Sequence, residues 1–210
     1  MLLLKRFLTL SWLAVALFGP LAARAAQAPD ALIEKVSNDV IDTIKADKAI
    51  QGGDLQKING LVDEKVMPYV NFERMTAAAV GRYWRQATPE QRKRLQDEFK
   101  TLLVRTYAGA LTQVRDQTTV QLKPMRSSPG DAEVIVRTQV LGKGEPVQLD
   151  YRLEKAGDSW KIYDVNVLGV WLVEQYRNSF AQEIGANGID GLIGKLAEKN
   201  KGAASAPARS

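Results

Sequence analysis

The sequence contains neither cysteine nor histidine. That removes the imidazole base, the Ser-His-Asp triad, the Cys-His pair, any disulfide, and any zinc site built on the usual nitrogen and sulfur ligands. Most hydrolase designs go with them. The glycine-rich phosphate motifs G-x-G-x-x-G and G-x-x-x-x-G-K-[ST] do not occur, and no serine sits in G-x-S-x-G. Gly188, Gly191, Gly194 and Lys195 come nearest to a phosphate loop, but the spacing is wrong and Leu196 stands where a hydroxyl is required. Long apolar runs are also scarce, and beyond Phe18 none approaches the roughly 20 residues of a membrane span.

What is present is an ordinary globular composition: 210 residues, 45% hydrophobic and 25% charged, enough for one domain with a sizeable core. The first residues stand apart. Lys5 and Arg6 precede an apolar run from Phe7 to Phe18, Gly19-Pro20 breaks it, and Ala23-Arg24-Ala25 supplies a small-residue cleavage site. The expectation is a signal peptide at residues 1–25, cleaved after Ala25, which places the mature protein outside the cytoplasm. Loss of Lys5, Arg6 and Arg24 lowers the 29 basic residues to 26, against 24 acidic ones. A nearly neutral mature chain argues against nucleic-acid binding. With no cysteine, stability must come from packing.

The densest information lies between Asn71 and Val114. Thr88-Pro89-Glu90-Gln91 reads as a helix start, with a hydroxyl cap, proline at the first helical position and glutamine closing a capping box. Leu95, Phe99, Leu102, Leu103, Thr106, Ala110, Leu111 and Val114 then recur at spacings of three and four. Phe72, Met75, Ala79 and Tyr83 repeat that spacing upstream, which predicts a preceding helix packed back on the first. Nearer the start, Asp30 is expected to cap a helix to about Lys45, Asp54 a second, and Pro68 to end or redirect it.

From Thr118 the period changes to two. Val120 and Leu122, then Val134 to Val140, then Val147 to Leu153 read as strands, joined by turns short enough for antiparallel hairpins. In a fourth strand the parity slips between Trp160–Ile162 and Val165–Val167, as a bulge or two-sided burial would require. Helical spacing returns near Gly169 with Val173, Tyr176, Phe180 and Ile184. Gly185 and Gly188 punctuate it before a last short helix, and residues 199–210 read as a disordered tail. The fold class is therefore expected to be α+β, with several helices set against an antiparallel sheet of about four strands. No internal repeat interrupts it, and the domain runs over residues 26–198.

Two features stay open on residues alone. The acids Asp63-Glu64, Asp97-Glu98 and Asp150 with Asp164 are a solvated face in the plain reading and a carboxylate pair in the sharper one. The cations between Arg82 and Arg105 are likewise either a charged outer face or a surface that meets anionic head groups or an acidic partner. Several broad apolar helix faces set against a short-stranded sheet leave room for a ligand between the layers.

Certain runs are familiar. Gly81-Arg-Tyr-Trp-Arg-Gln-Ala-Thr-Pro-Glu-Gln-Arg92, Phe99-Lys-Thr-Leu-Leu-Val-Arg-Thr-Tyr107, Tyr151-Arg-Leu153, Trp160-Lys-Ile-Tyr-Asp-Val165, Gly169-Val170 and Tyr176-Arg177-x-x-Phe180 resemble the MlaC family, also called the toluene-tolerance family. The resemblance extends from about Ala31 to Leu196. Members commonly have Asp where this chain has Asn71, and a small polar residue where it has Trp171.

The resemblance implies a monomeric periplasmic phospholipid carrier, not an enzyme, with several helices wrapped around a twisted antiparallel sheet in an NTF2-like arrangement enclosing an apolar cavity. It would shuttle lipid between an outer-membrane lipoprotein-porin complex and an inner-membrane Mla ABC transporter complex, maintaining outer-membrane lipid asymmetry. No metal or cofactor is expected, only phospholipid as ligand. Stripe positions together with the family motifs place the lipid lining at Tyr83, Trp84, Leu103, Tyr107, Leu111, Leu149, Tyr151, Val165, Val173, Tyr176 and Phe180. The cavity mouth or docking surface is expected at Arg82, Arg85, Arg105, Trp171 and Arg177. The alternative is a periplasmic binding or adaptor module for another hydrophobic ligand or a peptide.

Overall fold

The computed structural model describes residues 27–125, 128 and 130–202. The leader expected at residues 1–25 and the last eight positions of the expected tail lie outside them. Helix α1 (Pro29–Ala46) begins with Pro29 at its first position, and Asp30, expected as the cap, sits in the first turn. There its carboxylate accepts the Ala31 N–H at 2.9 Å and faces the positive end of the helix. A four-residue helix, α2 (Lys48–Gln51), follows under an Asp47 cap that the periodicity does not reveal. Asp54 caps α3 (Leu55–Leu61) as expected, accepting the N–H groups of Gln56 and Lys57.

A widened turn (Val62–Val66) and a tight one around Pro68 lead to α4 (Phe72–Val80). Its cap is Asn71, whose side chain accepts the Arg74 N–H at 3.0 Å and donates to Glu154 at 2.6 Å. An aspartate could perform only the first of these tasks. Gly81, at φ 66°, ends α4, so Tyr83 falls on a separate tight turn (Gly81–Gln86) and not on the α4 stripe. Helix α5 (Pro89–Leu111) starts at the expected capping box, with Thr88 and Gln91 each bonding the other's backbone.

Five strands form one antiparallel meander: β1 (Thr119–Leu122), β2 (Glu133–Leu141), β3 (Val147–Ala156), β4 (Ser159–Val167) and β5 (Val170–Trp171). The fifth, a two-residue return beyond the four expected, pairs Val170 with Val167 and Trp171 with Asn166. The parity slip in β4 is a bulge. Arg152 faces Asp164 while its neighbour Leu153 faces Ile162, leaving Tyr163 as the extra residue. Trp160, Ile162, Val165 and Val167 thus share the apolar face with Val134, Val136, Leu149, Tyr151 and Leu153, and Asp150, Arg152, Asp164 and Asn166 share the other.

Helix α6 (Leu172–Gly202) is interrupted at Gly188, with φ 71° and ψ −179°, while Gly185 lies within regular helix. It extends through the first residues of the expected tail because Asn200 is buried and donates to the Glu98 carbonyl at 3.0 Å and carboxylate at 2.7 Å. Side chains with a Cβ avoid the Gly188 conformation, so Gly188→Ala is expected to cost about 1–3 kcal/mol. Thermal denaturation reads this directly. An unchanged midpoint would mean that α6 tolerates becoming continuous at this point.

The buried apolar residues divide into three clusters instead of one contiguous core. The largest joins α4, α5 and α6 around Phe99, which contacts Phe72, Tyr176 and Phe180 with ring centroids 5.1–5.8 Å apart. The second packs α1 against the apolar face of β2, β3 and β4. The third joins α1, α2, α3 and the C-terminal half of α5.

Candidate functional site

Between these clusters lies an apolar surface that none of them fully covers. On α5, Leu103, Tyr107 and Leu111 are spaced by four and all half-buried, beside the fully buried Leu95, Phe99 and Leu102. Leu103 packs against the same cluster as Val165 of β4, and Leu111 against the same cluster as Val120 of β1. Leu149 and Tyr151 of β3 are also half-buried. Helices α1 and α6 make the main contacts with the sheet, whereas α5 packs on α3, α4 and α6.

The tyrosines report the polarity of this surface. Burial pushes the Tyr151 phenol up, and the nearby hydroxyls of Ser37 and Thr138 pull it only part of the way back. Tyr107 is raised by burial and by the neighbouring Tyr176, and Tyr176 by burial, opposed by Thr106. Tyr107 and Tyr151 are half-buried, whereas Tyr176 is buried.

Ionic chemistry is on the other face. Asp164 is 1% exposed and accepts the N–H groups of Val165 at 2.9 Å and Val173 at 3.1 Å, with Arg152 Nη1 at 3.0 Å. It thereby pins the start of α6 to β4. Asp150 shares that face with one oxygen accepting from Gln148 at 3.0 Å. The two acids considered above as a pair are thus separated from the apolar wall by the sheet. Among the described residues, no group of three or more His, Cys, Asp and Glu side chains is placed to hold a metal.

Burial raises the Asp164 pKa, the backbone amides and Arg152 opposing it. A folded value above the unfolded one, about 3.9, favours the fold below the unfolded value and is lost as pH rises through the folded one. Asp164→Asn keeps an acceptor for both amides and is expected to change stability by less than about 1 kcal/mol at pH 7. Wild type should gain on it as pH falls from 7 to 3. Urea midpoints at both pH values test this, and the opposite trend would mean that the Arg152 ion pair outweighs burial.

Leu103, Tyr107 and Leu111 share one side of α5, and Leu149, Tyr151 and Val165 share the apolar face of the sheet. Val173, Tyr176 and Phe180 are buried in the α4–α5–α6 cluster. Tyr83 and Trp84 precede α5, are half-buried, and pack against the same cluster as Leu103 and Val165. Tyr107 lies 18 positions after Pro89, roughly 27 Å along the helix. Trp84 also carries the Arg92 guanidinium over its ring at 5.3 Å.

Of the residues expected at a mouth or docking surface, Arg82 leans on Tyr83, donating to its hydroxyl at 2.9 Å, and Arg85 is exposed. Arg177 donates to the Ala78 carbonyl at 3.1 Å and ties α6 to α4. Trp171 stands on the ionic face, its ring 3.9 Å below the Arg152 guanidinium, because its partner across the hairpin is Asn166. Much of the basic run is internally paired, Lys93 with Asp97 and Lys100 with Asp63, in keeping with a solvated face. Val140 and Val167 are also half-buried, and their register puts them on the apolar face of the sheet.

The protein is thus α+β, with one sheet face ionic and the other apolar and packed by helices, an architecture with an apolar layer between helices and sheet. Its sequence matches the family model described as MlaC protein over residues 34–198, and the chain belongs to that family. A toluene tolerance protein, ttg2D, of Pseudomonas putida is 26% identical over 195 residues, covering 90% of each chain. The intermembrane phospholipid transport system binding protein MlaC of Haemophilus influenzae is 25% identical over 196 residues, covering 91% of each. The solved structure of a phospholipid-binding protein from Ralstonia solanacearum, in complex with a phospholipid, superimposes with a TM-score of 0.82 at 48% identity. It covers 85% of this chain and 100% of that one. Among the described residues, no helix is long and apolar enough to cross a membrane.

Proposed function

We propose that the protein is a periplasmic phospholipid carrier that lodges acyl chains between α5 and the apolar face of the sheet and exchanges them with membrane-bound Mla complexes. The observation that carries this reading is the half-buried stripe Leu103–Tyr107–Leu111 on α5, together with half-buried Leu149, Tyr151 and Val165 on the apolar face of the sheet. The phospholipid complex of the Ralstonia relative supports it.

The energetics suit a carrier. Two acyl chains hold roughly 30 methylenes, each favoured by about 0.8 kcal/mol on leaving water, so the gross term is on the order of 20 kcal/mol. Lipid so held does not escape into water. A bilayer offers the chains nearly the same environment, so transfer at a docked complex is close to neutral and docking governs exchange. No catalytic group is needed for that, in keeping with the want of histidine and cysteine.

Native mass spectrometry of protein purified from a Gram-negative periplasm tests the first half of the proposal. Adducts with phospholipid masses are expected, and a bare chain under mild conditions would sink it. Extraction that yields a peptide or another hydrophobe in place of phospholipid would favour the adaptor alternative. Transfer of labelled lipid from the loaded protein to membranes with and without the Mla transporter tests the second half.

A further inference from the structure

A groove of about 550 Å³ runs along the outer side of α5, bounded by the Gly52-Gly53 turn between α2 and α3. Arg105, Gly109, Gln113 and Arg115 supply its other principal walls, and no carboxylate lines it. Arg105 is half-buried and makes no hydrogen bond or ion pair to any described residue, and its Nη1 is fully shielded without a partner. The other part-buried arginines, Arg74, Arg92 and Arg152, are all engaged. A shielded guanidinium nitrogen without an acceptor is costly, and with no ion pair the charge of Arg105 stands uncompensated beside the groove.

The surroundings agree. Asp47 and Asp54, the acids of the adjoining turns, are committed to capping α2 and α3. Arg115 uses Nη1 on the carbonyls of Thr112 and Val114, leaving its other edge as a second cation at the rim. Three glycines keep the groove open, and at Gly109 an added Cβ would meet nothing within 4 Å. With 100° per residue, Arg105 is more than 100° around α5 from Leu103, Tyr107 and Leu111, so a ligand here is not the head group of a lipid on the wall.

We propose that this groove binds the dianionic phosphate group of a small water-soluble molecule, with Arg105 as its anchor and Arg115 as the second charge. Guanidinium groups form charge-assisted hydrogen bonds to phosphate oxygens, and two cations in a groove lined by no acid favour a dianion over a monoanion. The proposal does not depend on the carrier reading.

Isothermal titration of the full chain with inorganic phosphate and with glycerol 3-phosphate, at constant ionic strength in chloride, tests it. Saturable binding is expected, weakened at least tenfold by Arg105→Met. Gly109→Glu, one helical turn on, supplies an internal carboxylate to Arg105 and should abolish binding while keeping the arginine stem, so the test survives if the methionine variant does not fold. Phospholipid occupancy by native mass spectrometry should be unchanged in both variants. The proposal is overturned if neither probe saturates, if binding survives both substitutions, or if phosphate binding and bound lipid are lost together.

Discussion

Tyr107→Asp is expected to lower the affinity for phospholipid more than a hundredfold while the protein remains folded. A carboxylate facing acyl chains must be desolvated or protonated, at a cost of several kcal/mol, and about 2.7 kcal/mol already amounts to a hundredfold. Tyr107 is half-buried, so its replacement leaves Phe99 and its neighbours in place. Leu103→Asp should act in the same direction, and Tyr107→Phe should keep lipid because the wall requires the ring and not the hydroxyl. Occupancy is read by native mass spectrometry, and folding by circular dichroism. Full occupancy in both aspartate variants would move the ligand off this wall.

Phe99→Ala is expected to produce the largest loss of stability, about 3–5 kcal/mol. Its ring is completely buried and touches one aromatic ring from α4 and two from α6, so truncation opens a cavity where three helices meet. Chemical denaturation measures the loss. A change below about 1.5 kcal/mol would mean that the helices collapse onto the gap. Added phospholipid should restore part of the midpoint if the wall still binds, because a ligand of the native state adds stability by mass action. That behaviour separates a core residue from a wall residue, a distinction that stripe periodicity does not make.

The difference shows where sequence was legible and where it was not. The Thr88 cap fixed both the start and the phase of α5, so Leu103, Tyr107 and Leu111 were placed correctly on one stripe. Periodicity marks a helix face as apolar but cannot say whether the opposing surface closes on it, and Val173, Tyr176 and Phe180 look the same in sequence as Tyr107. Tyr83 followed the α4 spacing until Gly81 broke the helix, a break set by one positive φ. Trp171 was read beside a helix start, whereas its face follows from the two-residue pairing of β5, too short to carry a period. The short α2 and the extension of α6 to Gly202 depend on single side-chain bonds, from Asp47 and Asn200. The parity slip in β4 was legible because alternation is strict enough for one extra residue to be visible.

That extra residue, Tyr163, bears on how the strand tolerates changes of length. Its side chain lies under the Arg74 guanidinium at 3.6 Å and donates to Glu133 at 2.8 Å, while Arg74 also pairs with Glu133 and Glu154. Deleting Tyr163 would return β4 to unbroken alternation with Ile162 and Val165 still on the apolar face and Asp164 still on the ionic one. Strand pairing thus survives a deletion at this one position, whereas a deletion at Lys161 or Val165 would reverse the sidedness of the residues on one flank. Tyr163 is dispensable to the architecture of the sheet and is retained there for what its ring and hydroxyl hold: the N-terminal end of α4, clasped against strands that lie far from it in the chain.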